Sequence, residues 1–305
     1  MKKKTYFLSA FTILLALMVS GCGSPTTVEG ETTETVTHYE ETEQSVFTMP
    51  TFSDNTVLFE NAAVRIAVNS DSISQKGSGQ YEHYSIKMDV QNKTSDELQV
   101  SFPYLTVNGV YLDAYYTYAY GCTVSPGDHE KTSIDIYFSD LELAGIKEIG
   151  TIASDVRIAD AGGNPMPEYD GRLECICSDA HAVIPKLGAV VYDKHGITVR
   201  MVRSEIRDGW FYSYYAVTNA SDIDIGIGSE KMIINGESVE HLLAWTPVPA
   251  GVSAVDVVLA NNNDLDENTF RFDDLKTWDA EIMFGVYTDS KAVPFDTFTV
   301  SCKSN

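Results

Sequence analysis

The sequence is short of basic residues. Lys and Arg together number 21 against 44 Asp and Glu, which gives a formal net charge of −23 over 305 residues. Affinity for DNA and RNA rests largely on Lys and Arg neutralising phosphates, so this charge excludes nucleic acid as a partner. Such a charge also gives the protein no electrostatic attraction to an anionic membrane surface.

Local motifs for catalysis and metal binding are also absent. The six histidines show no H-x-H or H-E-x-x-H spacing, and no G-x-S-x-G segment occurs. The sequence therefore gives no local signal for a zinc site or a serine hydrolase. We expect a protein that is not an enzyme and has no cofactor, although residues distant in sequence can still assemble a site.

Long apolar runs are missing except near the N-terminus. Three lysines precede an apolar run over residues 6–19, which is shorter than the ~20 residues of a typical transmembrane helix. The segment that follows, Val-Ser-Gly-Cys at residues 19–22, resembles the lipobox of bacterial lipoproteins. The resemblance implies a signal peptide over 1–21, a covalent lipid on Cys22, and attachment to the extracytoplasmic face of the cell membrane.

The segment over residues 22–55 is rich in Thr and Glu and has few apolar residues to bury. Such a composition cannot form a packed core, so the segment is interpreted as a flexible acidic tether. A flexible chain of this length spans ~30 Å on average, and repulsion between its carboxylates would extend it further.

The remainder of the chain contains an internal repeat. Residues 57–66 match residues 190–199 in pattern, and alternating strands end at Asn92 and Asn219. An Asn-Gly turn follows at the same distance in both copies, which coincidence would not maintain. The repeat predicts two structurally equivalent halves.

Each half has about seven short alternating segments separated by turns, which is typical of a β-sandwich. The sequence therefore predicts an all-β protein with two tandem β-sandwich domains, residues 56–180 and 188–303, each able to fold alone. Both halves resemble the immunoglobulin-like domains found in tandem in exported lipoproteins of Gram-positive bacteria. The only helix candidate, Leu141 to Ile146, is short enough for a single turn.

Four cysteines remain beside Cys22, and sequence leaves open whether they are free thiols or form two disulfides. We match the position of Cys177 to that of Cys302 at the ends of the two domains. We also expect Cys175 and Cys177 to point to opposite faces of one strand, which disfavours a bond between them. The four cysteines are Cys122, Cys175, Cys177 and Cys302.

An acidic run near residues 261–268 contains oxygen ligands of the kind that calcium binds. It lacks the spacing of an EF-hand loop. A solvated loop is the preferred interpretation, and a weak calcium site is the alternative. The candidate ligands are Asp264, Asp266 and Glu267.

The two matched strands differ on one face. Their predicted core faces are Tyr84, Ile86, Met88 and Val90 in the first repeat and Phe211, Ser213, Tyr215 and Val217 in the second. The opposite face is polar in the first repeat, with His83, Ser85, Lys87 and Asp89. In the second it is aromatic, with Trp210, Tyr212 and Tyr214.

An aromatic row on a face that should meet solvent predicts a contact surface. Two interpretations stay open: the row binds an external protein or glycan, or it packs the two domains against each other or fills a wide sandwich core. Tyr116, Tyr118 and Tyr120 form a second such row, whose inward face the sequence does not identify.

These patterns together predict a non-enzymatic, lipid-anchored surface protein that makes binding or structural contacts outside the cell. The alternative is a carbohydrate- or solute-binding component of an uptake system. In either case the membrane is a partner through the lipid alone.

Overall fold

A computed structural model describes residues 47, 50–112, 118–239, 245–261, 270–288 and 293–304. All of these belong to one compact unit that spans residues 33–305. Cys22, the signal segment, most of the predicted tether and the candidate calcium ligands Asp264, Asp266 and Glu267 lie outside the described residues. Within them, no helix is long and apolar enough to span a bilayer.

The first repeat forms two facing sheets. One has the strand order β1-β2-β4-β10-β8, with β3 also paired to β4; the other contains β5, β6, β7, β9, β11 and β12. The elements are β1 Thr56–Glu60, β2 Val64–Val68, β3 Ile73–Lys76, β4 His83–Asn92, β5 Leu98–Ser101, β6 Thr106–Val107, β7 Val110–Leu112, β8 Tyr118–Ala119, β9 Cys122–Val124, β10 His129–Tyr137, α1 Phe138–Ala144, β11 Thr151–Asp160 and β12 Gly171–Ile176.

The second repeat follows the same plan. One sheet has the order β13-β14-β15-β19, and the other has the order β17-β16-β20-β21 with β18 also paired to β16. The strands are β13 Ala189–Lys194, β14 Ile197–Arg207, β15 Trp210–Asn219, β16 Ile225–Ile234, β17 Glu237–Val239, β18 Trp245–Val248, β19 Ser253–Asn261, β20 Asp279–Thr288 and β21 Asp296–Lys303. The predicted all-β fold with tandem β-sandwiches is confirmed.

The internal repeat is visible in matching side-chain hydrogen bonds. Buried Asn92, at the end of β4, donates from Nδ2 to the carbonyls of Asp96 and Val124 at 2.7 and 3.0 Å. Its Oδ1 accepts from the backbone N–H and the hydroxyl of Thr94. Asn219 makes the same four bonds at the end of β15, with Ile223, Val248 and Ser221 as its partners.

The two predicted Asn-Gly turns also coincide in geometry. Asn108 and Gly109 have φ of 50° and 77°, and Asn235 and Gly236 have φ of 51° and 82°. Two successive left-handed residues give the turn whose twist suits a two-residue hairpin, and Asn and Gly tolerate that conformation best. The first turn joins β6 to β7, and the second joins β16 to β17.

The two sandwiches are joined by more than a linker. Strand β19 pairs in parallel with β7 over Ser253–Val110, Ala254–Tyr111 and Val255–Leu112. One ten-stranded sheet therefore runs from the second repeat into the first. The sequence pattern predicted two complete sandwiches and gave no sign of this pairing, because β7 is only three residues long.

Helix α1 packs between the two repeats. It spans Phe138–Ala144, begins three residues before the predicted Leu141, and ends at Gly145 in the left-handed conformation. The backbone N–H groups of Gly145 and Ile146 close the last turn on the carbonyls of Glu142 and Leu141. The helix lies against β7 of its own repeat and against β15 and β19 of the other.

Candidate functional site

The aromatic row lies on the face of β15 that points away from its own sandwich. The alternate residues of the strand are fully buried, with Phe211, Tyr215 and Val217 in the core of the second repeat and Ser213 beside them. The predicted core face is therefore confirmed, as it is for Tyr84, Ile86, Met88 and Val90 in the first repeat.

The expectation that the row faces solvent is wrong for its two tyrosines. Tyr212 and Tyr214 are only 7% and 4% exposed and belong to the hydrophobic core of the first repeat. Trp210, at the end of the row, is half-buried and packs against the same core. The physical reason is that α1 of the first repeat packs against β15. The structure therefore favours packing between the repeats over an open binding surface.

A row of charged side chains on β14 accompanies the aromatic row. The cross-strand pairs are Arg203 with Tyr214, Glu205 with Tyr212, and Arg207 with Trp210. The guanidinium of Arg203 lies 4.6 Å from the ring centre of Tyr214, and that of Arg207 lies 4.8 Å from the ring centre of Tyr212. Cation–π contacts of this kind contribute ~0.5–2 kcal/mol each, more as they lose water.

Glu205 lies between the two arginines and joins the cluster. Its Oε1 accepts from Arg207 Nη1 at 3.3 Å and from the Tyr214 hydroxyl at 3.4 Å. Burial raises the pKa of Tyr214 to about 12, and the neighbouring carboxylate of Glu205 adds to that rise. The phenol therefore stays neutral and serves as a hydrogen-bond donor.

Sequence reasoning missed Arg203, Glu205 and Arg207. The available signal was their period-two spacing on β14, which places all three on one face. Side chains of both signs at that spacing, opposite an aromatic row, are compatible with a half-buried junction. The Nε atoms of Arg203 and Arg207 are buried and make no hydrogen bond to any residue that the structure describes.

The equivalent face of the first repeat is only partly covered. Lys87 is exposed, and His83 and Asp89 are half-buried. The expectation is wrong for Ser85, which is fully buried: its hydroxyl donates to Asp135 Oδ1 at 2.7 Å. The Ser85 hydroxyl also accepts a hydrogen bond from Lys76 Nζ at 2.9 Å. Ser85 therefore bonds to polar side chains instead of solvent.

The cysteines do not follow the predicted arrangement. All four are free thiols, yet Cys175 Sγ and Cys177 Sγ lie only 3.8 Å apart. Residues two apart in a strand share a face, so the expectation of opposite faces was wrong. The proposed match of Cys177 with Cys302 was also wrong, because the ladders pair Cys175 with Ile152 and Cys302 with Ala280.

The remaining candidate residues add no site among those described. Tyr120 is exposed, Tyr118 lies in β8 opposite Asp135, and Tyr116 lies outside the described residues. No group of three or more His, Cys, Asp or Glu residues in the described part of the chain is arranged to hold a metal ion.

Comparison with known proteins gives no family. No family model and no curated protein matches the chain. Solved structures that it resembles include red sea bream transglutaminase, with 10% identity over 75% of this chain and 30% of that chain and a TM-score of 0.22. A conserved domain protein from Bacillus anthracis has 11% identity over 82% of this chain and 89% of that chain, with a TM-score of 0.24. We draw nothing about function from likenesses this distant.

Proposed function

We propose that the chain is a lipid-anchored, extracytoplasmic surface protein without enzymatic activity, whose two β-sandwiches make binding or structural contacts outside the cell. The lipobox-like residues 19–22 support the anchor. The net charge of −23 supports attachment through lipid, because a polyanion is not drawn to anionic headgroups.

The observation that carries the contact role is the covered aromatic row. Tyr212 and Tyr214 stabilise the junction of the repeats instead of forming an open groove for a small molecule. A shared core and a shared sheet hold the sandwiches in one orientation, as a protein that presents a fixed surface to a partner requires.

Replacing Cys22 tests the anchor. In Cys22→Ala we expect release from membranes or accumulation of unprocessed precursor, because the variant lacks the thiol that would be acylated. Ser24→Ala, two residues further on, is the matched control and should remain processed and membrane-bound. Processed Cys22→Ala protein in the membrane fraction would contradict lipid attachment.

The alternative, carbohydrate or solute binding, has one observation in its favour. Trp210 is only half-buried, and it lies at the end of the row, paired across the strands with Arg207. Aromatic rings with a polar neighbour suit sugar binding. A glycan array probed with the wild type, Trp210→Ala and Trp210→Phe decides this: selective signals lost in the first variant and kept in the second would favour the alternative, and no selective signal would favour the contact role.

A further inference from the structure

Two thiols of the first repeat lie side by side. Cys175 is in β12, with its side chain in the core, and Cys177 follows just beyond the last strand residue, Ile176. Their sulfur atoms are 3.8 Å apart, within reach of an S–H···S hydrogen bond. Cys175 is 5% exposed and Cys177 is half-buried, so the pair lies at the margin of the core.

The second repeat has a thiol at only one of these two places. Cys302 is the equivalent of Cys175, since each lies opposite the second residue of its partner strand, Ile152 in β11 and Ala280 in β20. Two residues on, the N–H of Ser304 donates to the carbonyl of Trp278. The fold therefore accepts a serine where the first repeat has its second thiol.

An equivalent backbone hydrogen bond identifies Cys177 as the counterpart of Ser304. The N–H of Cys177 donates to the carbonyl of Gly150 at 2.7 Å, and Gly150 immediately precedes β11 as Trp278 immediately precedes β20. The pair of thiols is therefore an addition to the first repeat, not a requirement of the fold.

The paired thiols also differ in acidity from the isolated ones. The hydrogen bond from Cys177 lowers the pKa of Cys175 in spite of its burial, whereas Cys177 has a raised pKa because it holds the shared proton. Burial raises the pKa of Cys122 to about 12 and that of Cys302 to about 11. Thiolate is the form that attacks a disulfide, so the pair is the more reactive place.

We propose that Cys175 and Cys177 form a dithiol site that a small external disulfide oxidises to an intrachain disulfide. One thiolate attacks a sulfur of the external disulfide, forms a mixed disulfide and expels one thiolate of the oxidant. The second cysteine, once deprotonated, attacks the mixed disulfide at the protein sulfur and expels the other. Two protein thiols are oxidised, one external disulfide is reduced to two thiols, and the two protons leave with those thiols.

The local backbone permits the closure. A disulfide needs its sulfurs about 2.05 Å apart, so the two sulfurs must approach from 3.8 Å. Strand β12 ends at Ile176, and Cys177 lies just beyond it, where its N–H still bonds to the carbonyl of Gly150. Rotation about the side-chain bonds of the two cysteines can bring the sulfurs together while Cys175 keeps its place opposite Ile152.

The test uses the full chain and oxidised glutathione as the oxidant. Trypsin cuts after Arg172 and Lys186, and the peptide between them contains Cys175, Cys177 and no other cysteine. After incubation, alkylation and digestion, we expect this peptide to be lighter than its reduced form by two hydrogens and to be unalkylated. Dithiothreitol should restore both alkylation sites.

Cys122 and Cys302 are internal controls, because each falls in a tryptic peptide with no second cysteine. Both should remain alkylatable throughout. In Cys177→Ser we expect a lasting glutathione adduct on Cys175, since the resolving thiol is gone. The proposal is overturned if the wild-type peptide stays reduced, or if it carries glutathione on either cysteine without losing two hydrogens.

Discussion

Strands β4 and β15 hold equivalent places in the two repeats, yet their outer faces have different roles. Lys87 on β4 is exposed, whereas Tyr214, its counterpart on β15, is 4% exposed. Apart from Ser213 on β15, the buried faces of both strands are apolar and packed. The comparison teaches that a duplicated sandwich can keep its core while one copy acquires an apolar outer face that the other copy covers.

The largest effect should come from separating the repeats. Residues 188–303 expressed alone would expose Tyr212 and Tyr214, and residues 56–180 alone would lose part of their core. Domains of this size have only about 5–15 kcal/mol of stability, so we expect aggregation or a non-cooperative melt from each half. Differential scanning calorimetry of both halves and the joined chain checks this. Cooperative melting of each half at the temperature of the joined chain would instead support independent domains.

Truncation on the buried outer face should have the next largest effect. Tyr214→Ala should lower the free energy of unfolding by about 3–5 kcal/mol, as large-to-small core substitutions do. Its matched control, Lys87→Ala, should change that free energy by less than about 0.5 kcal/mol. Urea denaturation measures both, and equal small effects would show that the face of β15 is not part of a shared core.

The two buried asparagines should be equivalent. Asn92→Ala and Asn219→Ala each remove four hydrogen bonds and leave buried backbone groups without partners. We expect each to lower the free energy of unfolding by about 1–3 kcal/mol. Thermal melts of the two variants should shift by similar amounts. A large shift in only one would mean that the two networks differ in energy despite their shared geometry.

The smallest effect concerns the charge at Asp89, a position that Ala216 occupies in the second repeat. Burial raises the pKa of Asp89, but hydrogen bonds from Lys131 and His129 outweigh it and hold the pKa below its usual 3.8. A lowered carboxylate pKa stabilises the fold above the unfolded value, and this stabilisation is lost as pH falls through the folded value.

Asp89→Asn should therefore lower the free energy of unfolding at neutral pH by about 0.2–1 kcal/mol, as half-exposed ion pairs do. The difference from wild type should shrink as the pH falls below about 4. Urea denaturation at several pH values checks this, with Lys131→Met as the partner variant. A difference that is constant with pH would assign the effect to packing instead of charge.

The sequence predicted the elements that depend on local pattern. Asn108 and Asn235 were found because a two-residue hairpin demands left-handed residues at a fixed position. The inward faces of β4 and β15 were found because alternation shows directly in the sequence. These features require no knowledge of what lies on the other side of the sheet.

The junction could not be predicted on the same basis. Alternation showed that Tyr212 and Tyr214 leave their own core, but not that α1 would cover them, because the covering residues lie about seventy positions away in the chain. The cysteine match failed for a related reason: it aligned the ends of segments, whereas the hydrogen-bonded register places Cys175 opposite Ile152.

The parallel pairing of β7 with β19 also has a consequence for association between molecules. An unpaired strand presents a row of N–H and C=O groups that can recruit a strand of another chain, and natural proteins protect such edges. Here β7 and β19 pair with each other, from Val110 opposite Ser253 to Leu112 opposite Val255. The proposed anchor would crowd copies of the protein on a membrane. There, the pairing of β7 with β19 makes one edge of each sandwich unavailable for edge-to-edge aggregation.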